Sequence, residues 1–209
     1  MKNIALKFKY SPECEKERIK HTLDKSDWYI KNGYSNWIKL PENIKLTDID
    51  GNKSIDILLN KAEKEYNQKD FNDVEEIVKK QWVKFSPKLE QYFEEASLVP
   101  EDFYLIELTK YGSAGSYNLP NKIIVNIQGR FGIGVSKALI HEMVHLSIQK
   151  LIDKYNVDHW VKERIVDLVL SRIIPDVATM QNIPIKTNGV DTIFNKYYPN
   201  IEGVVKNLT

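Results

Sequence analysis

The sequence predicts an α+β chain: a mostly helical first half, then a short sheet, then two long apolar helices. Three observations carry this. Residues 54–67 place Ile55, Leu58, Leu59, Ala62 and Tyr66 at helical spacing with Lys, Glu and Asn between them. Residues 103–108 and 121–128 are rich in β-branched and aromatic side chains and are bounded by glycine- and serine-containing connections. Residues 135–155 and 158–174 contain no Gly or Pro and are dominated by Leu, Ile, Val and Met.

In order, Ile4, Leu6, Phe8 and Tyr10 alternate with Ala5, Lys7 and Lys9, which reads as a half-buried strand. Ser11 followed by Pro12 is a cap with proline at the first helical position, so a charged helix is predicted towards Ile30 and is broken by Asn32-Gly33. Residues 37–46 read as extended or looped, and Asp50-Gly51-Asn52 as a turn. Asn72 and Glu75 have capping-box spacing for a helix to about Phe85, and Ser86-Pro87 reads as the start of another. Pro100 marks a change of character. Residues 1–98 are therefore expected as a mostly helical part packed on a core formed by 99–209; one domain of 209 residues satisfies the same reading.

Composition narrows the function. With 42% hydrophobic and 28% charged residues, the chain has ordinary globular composition and material for a substantial core. A net charge of +1 does not indicate a nucleic-acid partner. Cys14 is the single cysteine, so no internal disulfide can form, which suits a reducing compartment. The first ten residues lack the apolar run of a signal peptide, and no stretch is long enough to span a bilayer. The expectation is a cytoplasmic protein without a membrane partner. No feature of the sequence sets an oligomeric state.

The chemistry concentrates in His141-Glu142-Met143-Val144-His145. On a helix, histidines four residues apart project from one face, about one turn apart. Two neutral imidazoles so placed can take two corners of a zinc tetrahedron, and Glu142 beside them can take a proton from the hydrolytic water. Gly132 and Gly134 read as the end of the preceding element and Ser136 as the N-cap. The next helix has Asp158 as N-cap and Pro175 as its stop. Glu163 and Asp167 share a face of it. Glu163 can supply the third ligand, and Asp167 can hydrogen-bond the distal nitrogen of a ligand histidine.

This pairing of His141-Glu142-x-x-His145 with Glu163-x-x-x-Asp167 resembles the gluzincin zinc metallopeptidases, the thermolysin-like group, over roughly residues 103–174. The resemblance implies a small zincin-like catalytic domain with Zn2+ held by His141, His145 and Glu163, with Glu142 as general base and Asp167 orienting a histidine. It also implies that the strand before the zinc helix is the cleft edge. Ile124, Asn126 and Gln128 would then meet an extended peptide or protein substrate; Asn126 and Gln128 on a plain solvent edge is the other reading. An oxyanion donor is expected from the C-terminal part, with Tyr197 and Tyr198 as candidates and His159 and Tyr155 behind them; packing is the alternative role for each. Lys162 departs from the asparagine common before the glutamate in the thermolysin branch. The metzincin pattern does not fit, because Ile148 and Leu151 stand where Gly and His are required. The Gly-x-Met-x-Asn of the aminopeptidase branch is absent, which favours endopeptidase action. Two rival readings remain: a zinc site in a binding or structural module without catalysis, and no metal, with both histidines satisfied in the core.

Overall fold

The structure is a computed structural model that describes residues 4–49, 51–129 and 133–208, with the side chains of 51–54 left aside. Strand β1 (Ala5–Lys9) leads into α1 (Pro12–Asp24) and α2 (Ser26–Lys31). Three short 3₁₀ turns follow, then α3 (Gly51–Glu65) and the long α4 (Gln68–Glu95). Strands β2 (Phe103–Thr109), β3 (Gly115–Asn118) and β4 (Lys122–Asn126) precede α5 (Ile133–Lys154), α6 (His159–Ile173), α7 (Asn188–Tyr197) and α8 (Ile201–Lys206). Among the described residues this is an α+β fold with one mixed four-stranded sheet.

The strand order is β1-β2-β4-β3. β1 pairs parallel with β2, and β2 parallel with β4, while β3 returns antiparallel along β4. Tyr104, Ile106, Leu108, Ile123 and Val125 point to one face and join the main core with α4, α5, α6 and α8. The helix α5 is buried nearly all round, as its apolar circumference predicts. Each fully buried Leu, Ile or Val there contributes on the order of 2 kcal/mol through apolar burial. The opposite face of the sheet carries α1, and a second apolar cluster (Ile19, Tyr29, Leu40, Leu58, Tyr111) lies between α1, α2 and α3.

Several local expectations hold. Ser11 caps α1 by accepting from the Cys14 amide, and Asp158 caps α6 by accepting from the amides of Trp160 and Val161. Other expectations are corrected. Ser136 is not an N-cap: α5 already begins at Ile133, and the buried Ser136 hydroxyl donates to Gln81. Gly134 lies inside that helix, and Gly132 is outside the described residues. Gly51 and Asn52 open α3 rather than forming a turn; Asp50 is outside the described residues. The two helices expected around 72–96 are one, capped by Asn67 and running through Pro87. Burial of Phe71, Val74, Val78, Phe85, Leu89 and Phe93 along one continuous stripe outweighs the hydrogen bond that the proline deletes.

The largest correction concerns the cleft edge. β4 is an interior strand, hydrogen-bonded to β2 on one side and β3 on the other, so its main chain is not free. Ile124 is buried, and the Asn126 side chain is spent on the Gly112 carbonyl and the Gln128 amide. The exposed edge beside α5 is β3. Its Gly115-Ser116-Tyr117-Asn118 has neither a β-branched run nor a hydrophobic alternation, so the glycine- and serine-rich stretch read as a plain loop.

Candidate metal centre

Two helices and one strand build the centre. His141 and His145 project from one face of α5, and Glu163 from the second turn of α6, which packs beside it. The two Nε2 atoms are 2.9 Å apart, and Glu163 Oε2 lies 3.5 Å from His141 Nε2 and 3.4 Å from His145 Nε2. A tetrahedral zinc with bonds of about 2.0–2.1 Å holds its ligand atoms about 3.3–3.4 Å apart, so the two separations to Glu163 match the ion while the two imidazole nitrogens sit closer, at hydrogen-bond distance. Among the described residues, His141, His145 and Glu163 are the group whose ligand atoms converge for a metal.

The three groups titrate differently. Burial pulls the His145 pKa down to about 4, against the pull of Glu163, so this imidazole is neutral and keeps a lone pair. Burial opposes ionisation of Glu163, but the two histidines outweigh it and hold its carboxyl well below the usual range. The His141 pKa is lowered by burial but raised overall by the hydrogen bond to Glu163 and by the Glu142 charge. His145 Nδ1 is buried without a partner among the described residues.

Glu142 is buried between α5 and the exposed strand. Its Oε1 lies so close to Gly115 that a Cβ at that position would overlap it. A larger residue there would force the Glu142 side chain to shift, and no unusual backbone angle is involved. Burial, helped by Glu163 and opposed by His141, raises the Glu142 pKa to about 7. Tyr117, two residues along β3, stacks on the His145 ring with centroids 5.1 Å apart, and its hydroxyl donates to Gln149 and accepts from Lys162. Lys162 Nζ is also 3.7 Å from Glu163 Oε1.

Asp167 does not meet a histidine. It accepts from the Gln181 amide at 2.6 Å and from the Gln181 side chain at 3.3 Å, and that side chain also donates to Glu163 Oε2 at 3.1 Å. One helical turn past Glu163, its carboxylate is hydrogen-bonded by the chain returning after Pro175, while its charge still acts on His141. Gln181 thus ties Asp167 to Glu163.

The C-terminal tyrosines are corrected as well. Tyr197 donates to Asn207, and Tyr198 packs on Phe194 and lines a cavity of about 230 Å3 with Arg172 and Tyr92. That cavity shares no residue with the metal centre. α7 docks on the other side of α6 through Arg164–Asp191 and Arg172–Asn195, which turns both tyrosines away. Tyr155 bonds Glu202. His159, one turn before Glu163, is near, with Nδ1 4.0 Å from Glu163 Oε1. Its Nε2 is 3.0 Å from the hydroxyl of Tyr34, a residue from the N-terminal half that the sequence did not single out. Burial, then Glu163 and Glu142, pushes the Tyr34 phenol up, so it keeps its proton.

No helix of the described residues is long and apolar enough to cross a membrane. Comparison of the chain with family models, with curated proteins and with solved structures finds no match in any of the three.

Proposed function

We propose that the protein is a zinc-dependent peptidase, of the gluzincin type that its paired motifs resemble. The observation that carries the reading is the convergence of His141 Nε2, His145 Nε2 and Glu163 Oε2 on one point with the Glu142 carboxylate beside it. His141, His145 and Glu163 would hold the zinc with one position open, and the ion would supply Lewis-acid chemistry there, lowering the pKa of a water to about 7 and polarising a carbonyl.

Glu142 takes the proton of the attacking water and returns it to the leaving amine. Glu142 is buried beside the three groups, and burial raises its pKa in the metal-free chain. Two histidines and one carboxylate also suit a non-haem iron. A buried carboxylate beside the ligands favours hydrolysis. The exposed edge of β3, which carries Gly115 against Glu142 and Tyr117 against His145, can hold an extended peptide by main-chain hydrogen bonds.

Elemental analysis of protein purified without chelator is expected to give one zinc per chain. Glu142→Gln is expected to retain that zinc and to lower kcat on a mixed peptide substrate by about 10²–10⁴-fold. A metal-free protein sinks the reading. A zinc-loaded parent that cleaves no peptide supports a zinc site in a binding module instead.

A further inference from the structure

We propose that Tyr117 is a positioning residue for the metal centre: its ring, carried on the exposed strand β3, fixes the plane of the His145 imidazole. The inference rests on the metal-site part of the peptidase reading. It gives β3 a task beyond the peptide contact proposed for it.

A ligand histidine is ordinarily held by a hydrogen bond from its far ring nitrogen to a carboxylate, a carbonyl or a water, which sets the ring orientation. His145 has no such bond among the described residues: its Nδ1 is buried and unpartnered. Asp167, the residue expected in that role, is hydrogen-bonded by Gln181. Ring contact holds His145 instead. Tyr117 lies nearly flat on it, with centroids 5.1 Å apart and an interplanar angle of 13°, and His141 stands edge-on at 4.6 Å. Turning the imidazole about its Cβ–Cγ bond would carry Nε2 away from Glu163 Oε2, 3.4 Å from it, and drive a ring edge into the Tyr117 face.

The phenol ring is itself anchored at both ends. Its backbone is held in the ladder, where Tyr117 pairs with Ile123 of β4. Its hydroxyl donates to Gln149, one turn after His145 on α5, and accepts at 3.2 Å from Lys162, the neighbour of Glu163 on α6. Gln149 is steadied in turn by donating to Asp153. The two helices that carry the three converging groups therefore also fix the ring that lies on His145. A side chain locked in this way presents a fixed face to the group that it orients.

The test is the Zn2+ affinity of the full chain, measured by competition with a chromophoric chelator at neutral pH, so that no turnover enters it. Tyr117→Phe keeps the ring face and deletes the hydroxyl anchor. Tyr117→Leu fills much of the same space without a flat face. Tyr117→Phe is expected to bind Zn2+ within about threefold of the parent, and Tyr117→Leu about 10–100-fold more weakly, the usual cost of removing a group that orients a ligand. The metal-free forms of the two variants are expected to share a thermal midpoint, which separates orientation from general packing. Tyr117→Met, flexible and without a ring, replaces Tyr117→Leu if that variant does not fold.

Equal Zn2+ binding by the parent and Tyr117→Leu overturns the proposal. So does equal weakening in Tyr117→Phe and Tyr117→Leu, which would put the effect in the hydroxyl and not in the ring face. A parent that binds no metal sinks the peptidase reading and this inference together. A parent that binds Zn2+ but cleaves no peptide sinks only the peptidase reading, and the comparison of Tyr117→Phe with Tyr117→Leu still decides the role of the ring.

Discussion

Two groups of buried charge lie on opposite faces of the same small sheet, and they are built differently. On the α1 face, Glu15 accepts from the Thr109 hydroxyl and the Lys110 amide, Arg18 donates to Ser113 and Ser116, and Glu107 pairs with Lys122. Arg18 Nε and Glu107 Oε2 lack a hydrogen bond, but Glu107 Oε2 has its ion pair with Lys122 and the other charged atoms meet groups of opposite polarity. On the α5 face, two imidazole nitrogens and a carboxylate oxygen point at one another, and the Glu142 carboxylate has no hydrogen bond to a described residue. The two imidazole nitrogens lie within hydrogen-bond distance of each other and Glu163 accepts from Gln181, so few protons serve several buried acceptors, an arrangement that a bound cation would relieve. Buried charge alone is thus weak evidence of a site; convergent lone pairs are stronger.

The comparison breaks if removing the metal has no effect. His145→Ala is expected to reduce bound zinc to near zero and to abolish peptide cleavage, and chelation of the parent is expected to lower its thermal midpoint, by the linkage between binding and folding. Unchanged midpoint and activity after chelation would place both groups in the same structural class. The α1 face is expected to answer in stability instead. Arg18→Met strands the Ser116 hydroxyl, takes one partner from Ser113 and leaves Glu15 and Glu107 without the buried Arg18 charge, for a loss of about 3 kcal/mol in urea unfolding with zinc content unchanged.

Gly115→Ala sharpens the comparison on the β3 side. The added Cβ meets Glu142 Oε1, so about a tenfold fall in kcat with zinc retained is expected. An unchanged kcat would show that the carboxylate position is not set by the strand. The smallest effect is a pH slope. Burial raises the Glu15 pKa to about 7 from an ordinary 4.5, so the folded state holds a proton that the unfolded chain has released across that window. Stability from this residue therefore falls as pH rises from about 4.5 to 7. Glu15→Gln is expected to flatten that limb of the stability profile; an identical profile refutes the assignment.

How much was legible from sequence depends on distance along the chain. His141, Glu142 and His145 share one helix, and four-residue spacing puts the ligands on one face whatever surrounds them. The caps at Ser11 and Asp158 were legible for the same reason: each bonds an amide within three residues. The exposed strand was missed because Gly115 and Ser116 have low strand propensity, and pairing with β4 overrides it. The same strand therefore takes the edge that was expected of Ile124, Asn126 and Gln128. Tyr197 and Tyr198 were chosen by their place late in the chain, and docking of α7 through Arg164 and Asp191 turned them outward.

What the sequence determined alone was local: an apolar helix bearing two histidines and a glutamate, a following helix bearing Glu163 and Asp167, and the caps and stops between them. These follow from backbone periodicity and short-range hydrogen bonds. Only the tertiary structure decided which strand is exposed, that Gln181 and not a histidine receives Asp167, that Arg18 braces the loop leading to Gly115, and that Tyr34 reaches His159 across 125 positions. Such contacts join residues far apart in the chain, and their geometry comes from packing the core, which no local pattern encodes.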